Sequence, residues 1–136
     1  MAELAVQKGL FEALSGIGPP VYDALPQRAD GGDAAEYPCI AVGAVVLAPW
    51  DTKDNTGFDF VARVHSWSRD AAMSEVKGLQ RKIYERLHRG VIAVEGYRLI
   101  DLGRRSSTVL EDQDGTFHGV CEYRGLIETI RTGDET

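Results

Sequence analysis

Cysteine is scarce in this chain, and its scarcity excludes several classes of protein. The 136 residues contain two cysteines, Cys39 and Cys121, which are too few for a disulfide scaffold. Both lie in segments that resemble strands, so we expect two small buried side chains, with a metal pair or a disulfide as the alternative. The three histidines, His65, His88 and His118, share no ligand spacing with one another or with the cysteines. The sequence therefore predicts no metal site.

Long hydrophobic runs are also missing. No stretch approaches the roughly 18 consecutive apolar residues of a membrane-spanning helix, and the N-terminus lacks the basic region of a signal peptide. We therefore expect a chain that folds in the cytoplasm. With 43% hydrophobic and 26% charged residues, the composition is typical of one globular domain. We expect that domain to span residues 1–136, with a frayed tail at residues 131–136.

Acidic side chains outnumber basic ones, and the formal net charge is −6. Residues 77–105 nevertheless carry eight basic and three acidic side chains, whereas residues 1–60 and 106–136 are acidic. Separate zones of opposite charge on one chain can pair copies of that chain. A solvated helix face is the simpler interpretation of the basic zone. The overall acidity argues against a nucleic-acid-binding protein, because affinity for DNA depends on neutralising phosphates.

Hydrophobic periodicity predicts an α+β fold, in which a mainly antiparallel β-sheet packs against an N-terminal helix and a central helix. Helical spacing of apolar residues within residues 2–15 indicates the first helix. Strict alternation and β-branched content indicate the strands. The predicted strands cover residues 21–23, 37–47, 58–67, 91–94, 97–102, 104–110 and 117–130. An Asp-Gly pair within residues 111–115 predicts the turn of a hairpin before the last strand.

The central helix is predicted to follow the strand at residues 58–67 directly. Ser68 is the expected N-cap, and Asp70 in the first turn favours the positive end of the helix dipole. Gly90 is the expected stop. The predicted apolar stripe consists of Ala72, Met73, Val76, Leu79, Ile83 and Leu87.

Catalytic patterns are weak in this sequence. Cys121 or Cys39 could form a nucleophilic pair with His65, since such pairs meet in space rather than in sequence. Burial of the thiols in strands would lower their reactivity. The glycines of residues 16–20 precede two prolines, which lack the N–H donors of a phosphate cradle, and residues 51–57 lack the glutamate of a calcium loop. We expect no catalytic, cofactor-binding or metal-binding residues.

The two tryptophans are candidate contact residues, because aromatic anchors are enriched at interfaces. Trp67, at a strand end, is expected in the core. Trp50, beside a proline and a polar loop, fits an interface and the core equally well. The long loops at residues 48–57 and 27–36 are expected to become ordered on assembly.

The order of the elements and several short motifs carry a family resemblance over nearly the whole chain. The motifs are Tyr37-Pro38 at a strand start, Val64-His65-Ser66-Trp67-Ser68 at a strand end, Leu87-His88 at a helix end, and Asp112-Gln113-Asp114-Gly115 followed by Phe117-His118-Gly119. In these features the chain resembles the small tail-completion or tail-terminator proteins of long-tailed phages and phage-like gene transfer agents.

The resemblance implies a structural virion protein and not an enzyme, with no cofactor. It implies a homo-oligomeric ring, commonly a hexamer, that caps the tail tube and joins it to the head–tail connector. Such a protein would assemble in the host cytoplasm and then remain in the virion tail, at the head–tail interface. DNA would pass through the lumen without specific binding, because an acidic ring does not retain it. No membrane partner is implied.

A ring requires a heterologous interface whose rotation closes, and the basic zone of one copy facing an acidic neighbour would suit it. The candidate residues of a subunit or partner interface are Trp50, Asp51, Asp54, Arg81, Arg86 and Arg89. Two alternatives stay open. One is a small cytoplasmic ligand-binding or enzymatic domain with a pocket between helix and sheet. The other is a different component of the same particle, such as another head–tail joining protein or a tube subunit.

Overall fold

The computed structural model describes residues 2–23 and 35–130, within which two helices pack on one face of a five-stranded sheet. In chain order the elements are α1 (Ala2–Leu14), β1 (Val21–Tyr22), β2 (Cys39–Pro49), β3 (Gly57–Ser68), α2 (Ser74–Leu87), β4 (Tyr97–Glu111) and β5 (Phe117–Thr129). The strand order is β1-β2-β3-β5-β4, with β1 parallel to β2 and every other pair antiparallel. The predicted α+β class and mainly antiparallel sheet are confirmed. The expectations for residues 131–136 and for most of the 27–36 loop lie outside the described residues.

Strands β3 and β5 form the centre of the sheet and alternate between buried and accessible side chains. Their buried side chains face the helices and form the core with Val6, Leu10 and Leu14 of α1 and Ile83 and Leu87 of α2. Each large apolar side chain that is fully buried contributes about 1.5–3 kcal/mol. Both cysteines are fully buried and unbonded to each other, as predicted. The alternation visible in the sequence therefore fixes which face of the sheet meets the helices.

Helix α2 begins later than predicted. Strand β3 continues through Ser68, which pairs with Phe117, so Ser68 is not the N-cap. The N-cap is Met73, whose side chain makes no capping hydrogen bond. The Ser68 hydroxyl instead donates to the Glu75 carboxylate over 2.7 Å and accepts the Asp70 N–H over 3.2 Å. Pairing with β5 thus overrides a local capping signal.

The two ends of α2 also change the predicted apolar stripe and the predicted stop. Ala72 and Met73 precede the helix and are exposed, whereas the other four stripe residues are buried. The helix ends at Leu87, and Arg89 adopts the left-handed conformation with φ of 55°. Gly90 follows this turn, so an arginine and not the predicted glycine reverses the chain.

Residues 91–94 form no strand, contrary to the prediction. Ile92 and Val94 are buried in the core from an irregular connection between α2 and β4. The Ala93 carbonyl oxygen lies so close to Gly9 of α1 that a Cβ there would approach it to 2.4 Å. These apolar residues therefore fill the space beside α1 instead of joining the sheet.

The segments predicted at residues 97–102 and 104–110 are a single strand, β4. Its register with β5 shifts between Leu99 and Asp101 and again between Arg104 and Ser106, which marks two β-bulges. The predicted turn before β5 is confirmed, with Gly115 at φ of 85°. No helix in residues 2–23 or 35–130 is long and apolar enough to cross a membrane.

Candidate subunit interface

The sheet has one face without a covering layer: no helix or strand in the described part of the chain packs on the side opposite α1 and α2. We call this surface the open face. The register of β3 and β5 assigns it side chains that alternate with those of the core. They are Asp59, Val61, Arg63, His65 and Trp67 of β3 and His118, Val120, Glu122, Arg124 and Leu126 of β5.

Charges on the open face are paired across strands. Arg124 hydrogen-bonds to the Asp59 carboxylate through Nε at 2.9 Å, and this bond holds the pKa of Asp59 below its ordinary value. The Glu122 carboxylate forms ion pairs with Arg63 Nε at 3.6 Å and with Arg105 Nε at 3.8 Å. Such exposed pairs contribute about 0–1 kcal/mol each. Their balance of signs makes the open face a weak attractor for a polyanion such as DNA.

Three aromatic rings stack at one end of the open face. Trp67 lies on His118 with centroids 4.6 Å apart and planes 8° apart, and His65 lies 5.0 Å from His118. His65 Nδ1 and His118 Nε2 are 2.9 Å apart. Burial lowers the pKa of both histidines; the neighbouring charges of His118 and Arg63 lower the pKa of His65 further, while Asp112 opposes the shift in His118. Trp67 is therefore half-buried on the open face, and the prediction that it lies in the core is wrong.

The sheet separates Cys121 from His65, one of the two cysteine–histidine combinations that could have formed a nucleophilic pair. Cys121 lies opposite Val64 and faces the helices, whereas His65, the next residue of β3, faces the open side. Burial raises the pKa of the Cys121 thiol. Cys39 pairs with Trp67 and so lies on the same face as His65, but its side chain is fully buried. Geometry thus rules out a Cys121–His65 pair and disfavours thiolate chemistry at either cysteine.

The three predicted interface arginines lie together along α2 and its C-terminal turn. Arg81 is exposed and pairs with Glu85 one turn later at 3.6 Å. Arg86 is exposed but donates to the Ala13 carbonyl oxygen at the end of α1 over 2.5 Å. Arg89 is exposed in the turn after the helix. Arg86 therefore also links α2 to α1. The Arg81 and Arg89 side chains make no such contact between the two helices in the described part of the chain.

The predicted acidic and aromatic residues lie in the loop between β2 and β3, at one end of the sheet. Trp50 is half-buried, and Asp51 and Asp54 are exposed. The Trp50 N–H and the Asp51 carboxylate both bond to the first residue of β3, over 2.9 and 3.4 Å. Asn55 Nδ2 donates to the Thr129 carbonyl oxygen over 2.8 Å. The loop is thus tied to the end of β5, whereas the predicted arginines belong to α2 and the turn that follows it.

Comparison with known proteins shows the family of this chain. The family described as "Tail completion protein gp17" matches residues 4–128. The chain belongs to this family. The tail completion protein gp17 of Bacillus phage SPP1 is 24% identical over 128 residues, which cover 93% of this chain and 95% of that protein. A chain from the virion of a native gene transfer agent particle shares the fold, with a TM-score of 0.75, 16% identity, and coverage of 90% and 94% of the two chains.

The family resemblance predicted from the sequence is therefore confirmed, and it is a family of structural phage tail proteins. Sequence reasoning about this tail completion family member still missed the cluster of Trp67, His65 and His118. The alternation of β3 and β5 places all three on one face. Only the register, which sets Trp67 opposite His118, brings their rings together.

Proposed function

We propose that this chain completes the tail of a phage or phage-like particle by forming a closed ring, a hexamer, that caps the tail tube and joins it to the head–tail connector. The family match over residues 4–128 carries this proposal. The curated relative, itself a tail completion protein, matches this chain over nearly the full length of both. A chain of the same fold in a gene transfer agent virion adds support from a phage-like particle.

A head-to-tail ring requires two unlike surfaces that complement each other. The exposed arginines of α2 provide a positive surface, and the loop between β2 and β3 provides a negative one with a half-buried aromatic side chain. The two surfaces belong to different elements of the chain, as a contact between unlike surfaces requires. In the proposed ring Arg81, Arg86 and Arg89 of one copy face Trp50, Asp51 and Asp54 of the next.

The net charge of −6 on each copy suits a ring through which DNA passes. A lumen of like charge repels the phosphates and gives the DNA no specific binding site. The proposed partners are therefore other copies, the tail-tube protein and the connector. Assembly would take place in the host cytoplasm, and the ring would remain at the head–tail interface of the virion.

Electron microscopy of tail tubes with the purified chain tests this function. We expect a ring of discrete size at one end of each tube, and no further growth of the capped end. Free tube protein serves as the control, because it should elongate uncapped ends. Incorporation of the chain along the tube would contradict the proposal and indicate a tube subunit. Binding to the connector without any tube binding would indicate a different joining protein.

A further inference from the structure

One edge of the sheet is covered for only a short distance. Strand β1 pairs with Ile40 and Ala41 of β2 and with no later residue of that strand. The rest of β2, residues 42–49, extends beyond β1. A strand edge with unpaired N–H and C=O groups is a template for pairing with another chain.

Backbone alternation shows which groups of β2 are unpaired. The Trp50 N–H bonds to the Gly57 carbonyl oxygen, on the β3 side, over 2.9 Å. Since successive residues of a strand turn their backbone groups to opposite sides, Val45, Leu47 and Pro49 face away from β3. Pro49 fits this position because it has no N–H to donate. Val45 and Leu47 therefore present donors and acceptors that no described residue satisfies.

The opposite edge of the sheet is β4, and the chain covers only its first half. The Arg89 N–H donates to the Leu102 carbonyl oxygen over 2.8 Å. The Arg104 N–H donates to His88 Nδ1 over 3.0 Å. The turn after α2 thus satisfies the edge around residues 102–104.

The second half of β4, residues 106–111, has no such cover. The Asp112 N–H bonds to the Thr116 carbonyl oxygen over 2.8 Å and continues the ladder with β5. Counting back by alternation, the backbone groups of Ser107, Val109 and Glu111 face away from β5. Within residues 2–23 and 35–130 these groups find no hydrogen-bond partner. The sheet thus has one unpaired stretch on each side.

The side chains beside the two unpaired stretches also match. Val46 is 66% exposed and Leu110 is 52% exposed. Val46 pairs with Val61, and Leu110 pairs with His118, so both lie on the open face. Edge residues of this kind would cover each other if the two stretches came together.

Charge selects the direction of such a pairing. Antiparallel pairing brings the Asp51 end of β2 toward Arg104 and Arg105, whereas parallel pairing would bring it toward the acidic turn at Asp112 and Asp114. Within one sheet β2 already runs antiparallel to β4. A neighbour related by the rotation of a ring keeps that relation, with its helices on the same side.

We propose that, in the ring, residues 106–111 of one copy pair antiparallel with residues 45–49 of the next copy, so that the sheets of neighbouring copies are continuous. This inference rests on the proposed ring and names its subunit contact. The occupant of the β4 edge is a second copy of this chain. The acidic loop of that copy then lies beside the arginines at the end of α2 and in β4.

The two unpaired stretches lie at different positions along the strand direction. This offset determines how the strands are inclined to the axis of the ring. Leu47 pairs with Phe60, Phe60 pairs with Gly125, and Gly125 pairs with Leu102, so Leu47 and Leu102 lie at the same position along the strands. The unpaired part of β4 begins several residues later, near Ser107. The neighbour is therefore displaced along the strands by several residues, at about 3.3 Å each. A stagger of this kind accompanies strands that are inclined to the axis of a closed barrel.

Residue-resolved hydrogen exchange tests the inference on the free chain and on the ring assembled with tail tubes. The amides of Val45, Leu47, Ser107 and Val109 should slow by about tenfold or more on assembly, because each gains a hydrogen bond. The Thr108 amide faces β5 and serves as the control, protected in both states. A ring with unchanged exchange at the four amides would reject this inference and leave the proposed function standing. A chain that forms no ring would reject both.

Substitution of Val109 provides a second test. Val109→Pro removes an outward N–H without removing a bond to β5, and Val109→Thr keeps the N–H with a side chain of similar shape. We expect the proline variant to lose assembly at least about tenfold while the threonine variant assembles normally. Circular dichroism and a melting curve establish that each is folded. Assembly of Val109→Pro at the wild-type concentration would overturn the inference; if that variant does not fold, hydrogen exchange on the wild type decides.

Discussion

The backbone N–H of Arg104 donates a hydrogen bond to Nδ1 of His88 over 3.0 Å, and this bond attaches the turn after α2 to the edge of the sheet. The Tyr84 ring stacks on His88 at 4.4 Å, and the Arg104 guanidinium lies over Tyr84 at 4.3 Å. The three side chains fix the geometry of the bond. The end of α2 and the first half of β4 are therefore one structural unit.

Removal of the His88 acceptor should destabilise the chain. His88→Phe keeps a ring that can stack on Tyr84 but leaves the Arg104 N–H without a partner, and we expect a loss of about 1–3 kcal/mol in the free energy of unfolding. Denaturant unfolding measures this loss. Tyr84→Phe, which keeps the stack and the bond, is the control. A His88→Phe variant as stable as that control would contradict the assigned role.

The histidine pair on the open face should make stability depend on pH. The pKa of both His65 and His118 lies below the ordinary 6.5 in the folded chain, so the unfolded chain binds protons first as the pH falls. Stability is therefore full above the unfolded pKa and declines as the pH falls below about 6.5. Unfolding curves across this range measure the decline. His65→Gln/His118→Gln should flatten it, and an equal decline in the double variant would contradict the prediction.

Two glycines should respond to alanine with opposite signs. A Cβ on Gly125 would lie 2.3 Å from Phe60 Cζ and 3.0 Å from the Asp101 carbonyl oxygen, so Gly125→Ala should cost about 1–3 kcal/mol by overpacking. A Cβ on Gly78 in α2 would meet nothing within 4 Å, so Gly78→Ala should gain up to about 1 kcal/mol from helix propensity. Thermal unfolding measures both. If both substitutions raised or both lowered the stability, the contacts described around one of the two glycines would be wrong.

Much of the fold follows from local pattern, and the errors have a common cause. The alternation of β3 and β5 was sufficient to assign core and open faces, because each strand is paired on both sides and must bury one face. The start of α2 was not predictable from Ser68, since pairing with Phe117 keeps that residue in the sheet. Residues 91–94 have the composition of a strand but fill a gap beside α1. In each case a partner distant in sequence decides.

The candidate site was predictable in part. Composition located the basic residues of α2 and the acidic loop, because clusters of charge are visible in a linear chain. The role of Arg86 at the end of α1 and the unpaired edges of β2 and β4 depend on tertiary contacts and on strand register. A short sequence motif could not have predicted that the turn after α2 covers the first half of β4 and leaves the second half uncovered.

Relief of the left-handed conformation at Arg89 should stabilise the free chain. Arg89 has φ of 55°, which disfavours a residue with a Cβ, so Arg89→Gly should gain up to about 1 kcal/mol. The same variant removes a charge from the proposed interface and should assemble less well. Arg89→Ala, which loses the charge but keeps the strain, separates the two effects. A lower free energy of unfolding for Arg89→Gly than for Arg89→Ala would contradict the prediction.

Neutralisation of the α2 arginines should weaken self-association at low salt. Arg81→Gln/Arg86→Gln/Arg89→Gln removes the proposed positive surface, and Arg81→Gln/Arg89→Gln does so while sparing the bond of Arg86 to α1. Sedimentation at low and high salt measures the effect. Because salt screens exposed charges, both variants at low salt should resemble the wild type at high salt. Unchanged association of both variants would exclude this surface.

The mass of the assembled protein in solution shows whether the proposed ring forms. Purified chain, alone and with the tail-tube protein, can be measured by native mass spectrometry across concentration. We expect a closed assembly of discrete size, six times the 14.9 kDa of one chain, alone or on the tube. A persistent monomer that ignores the tube at every concentration would contradict it.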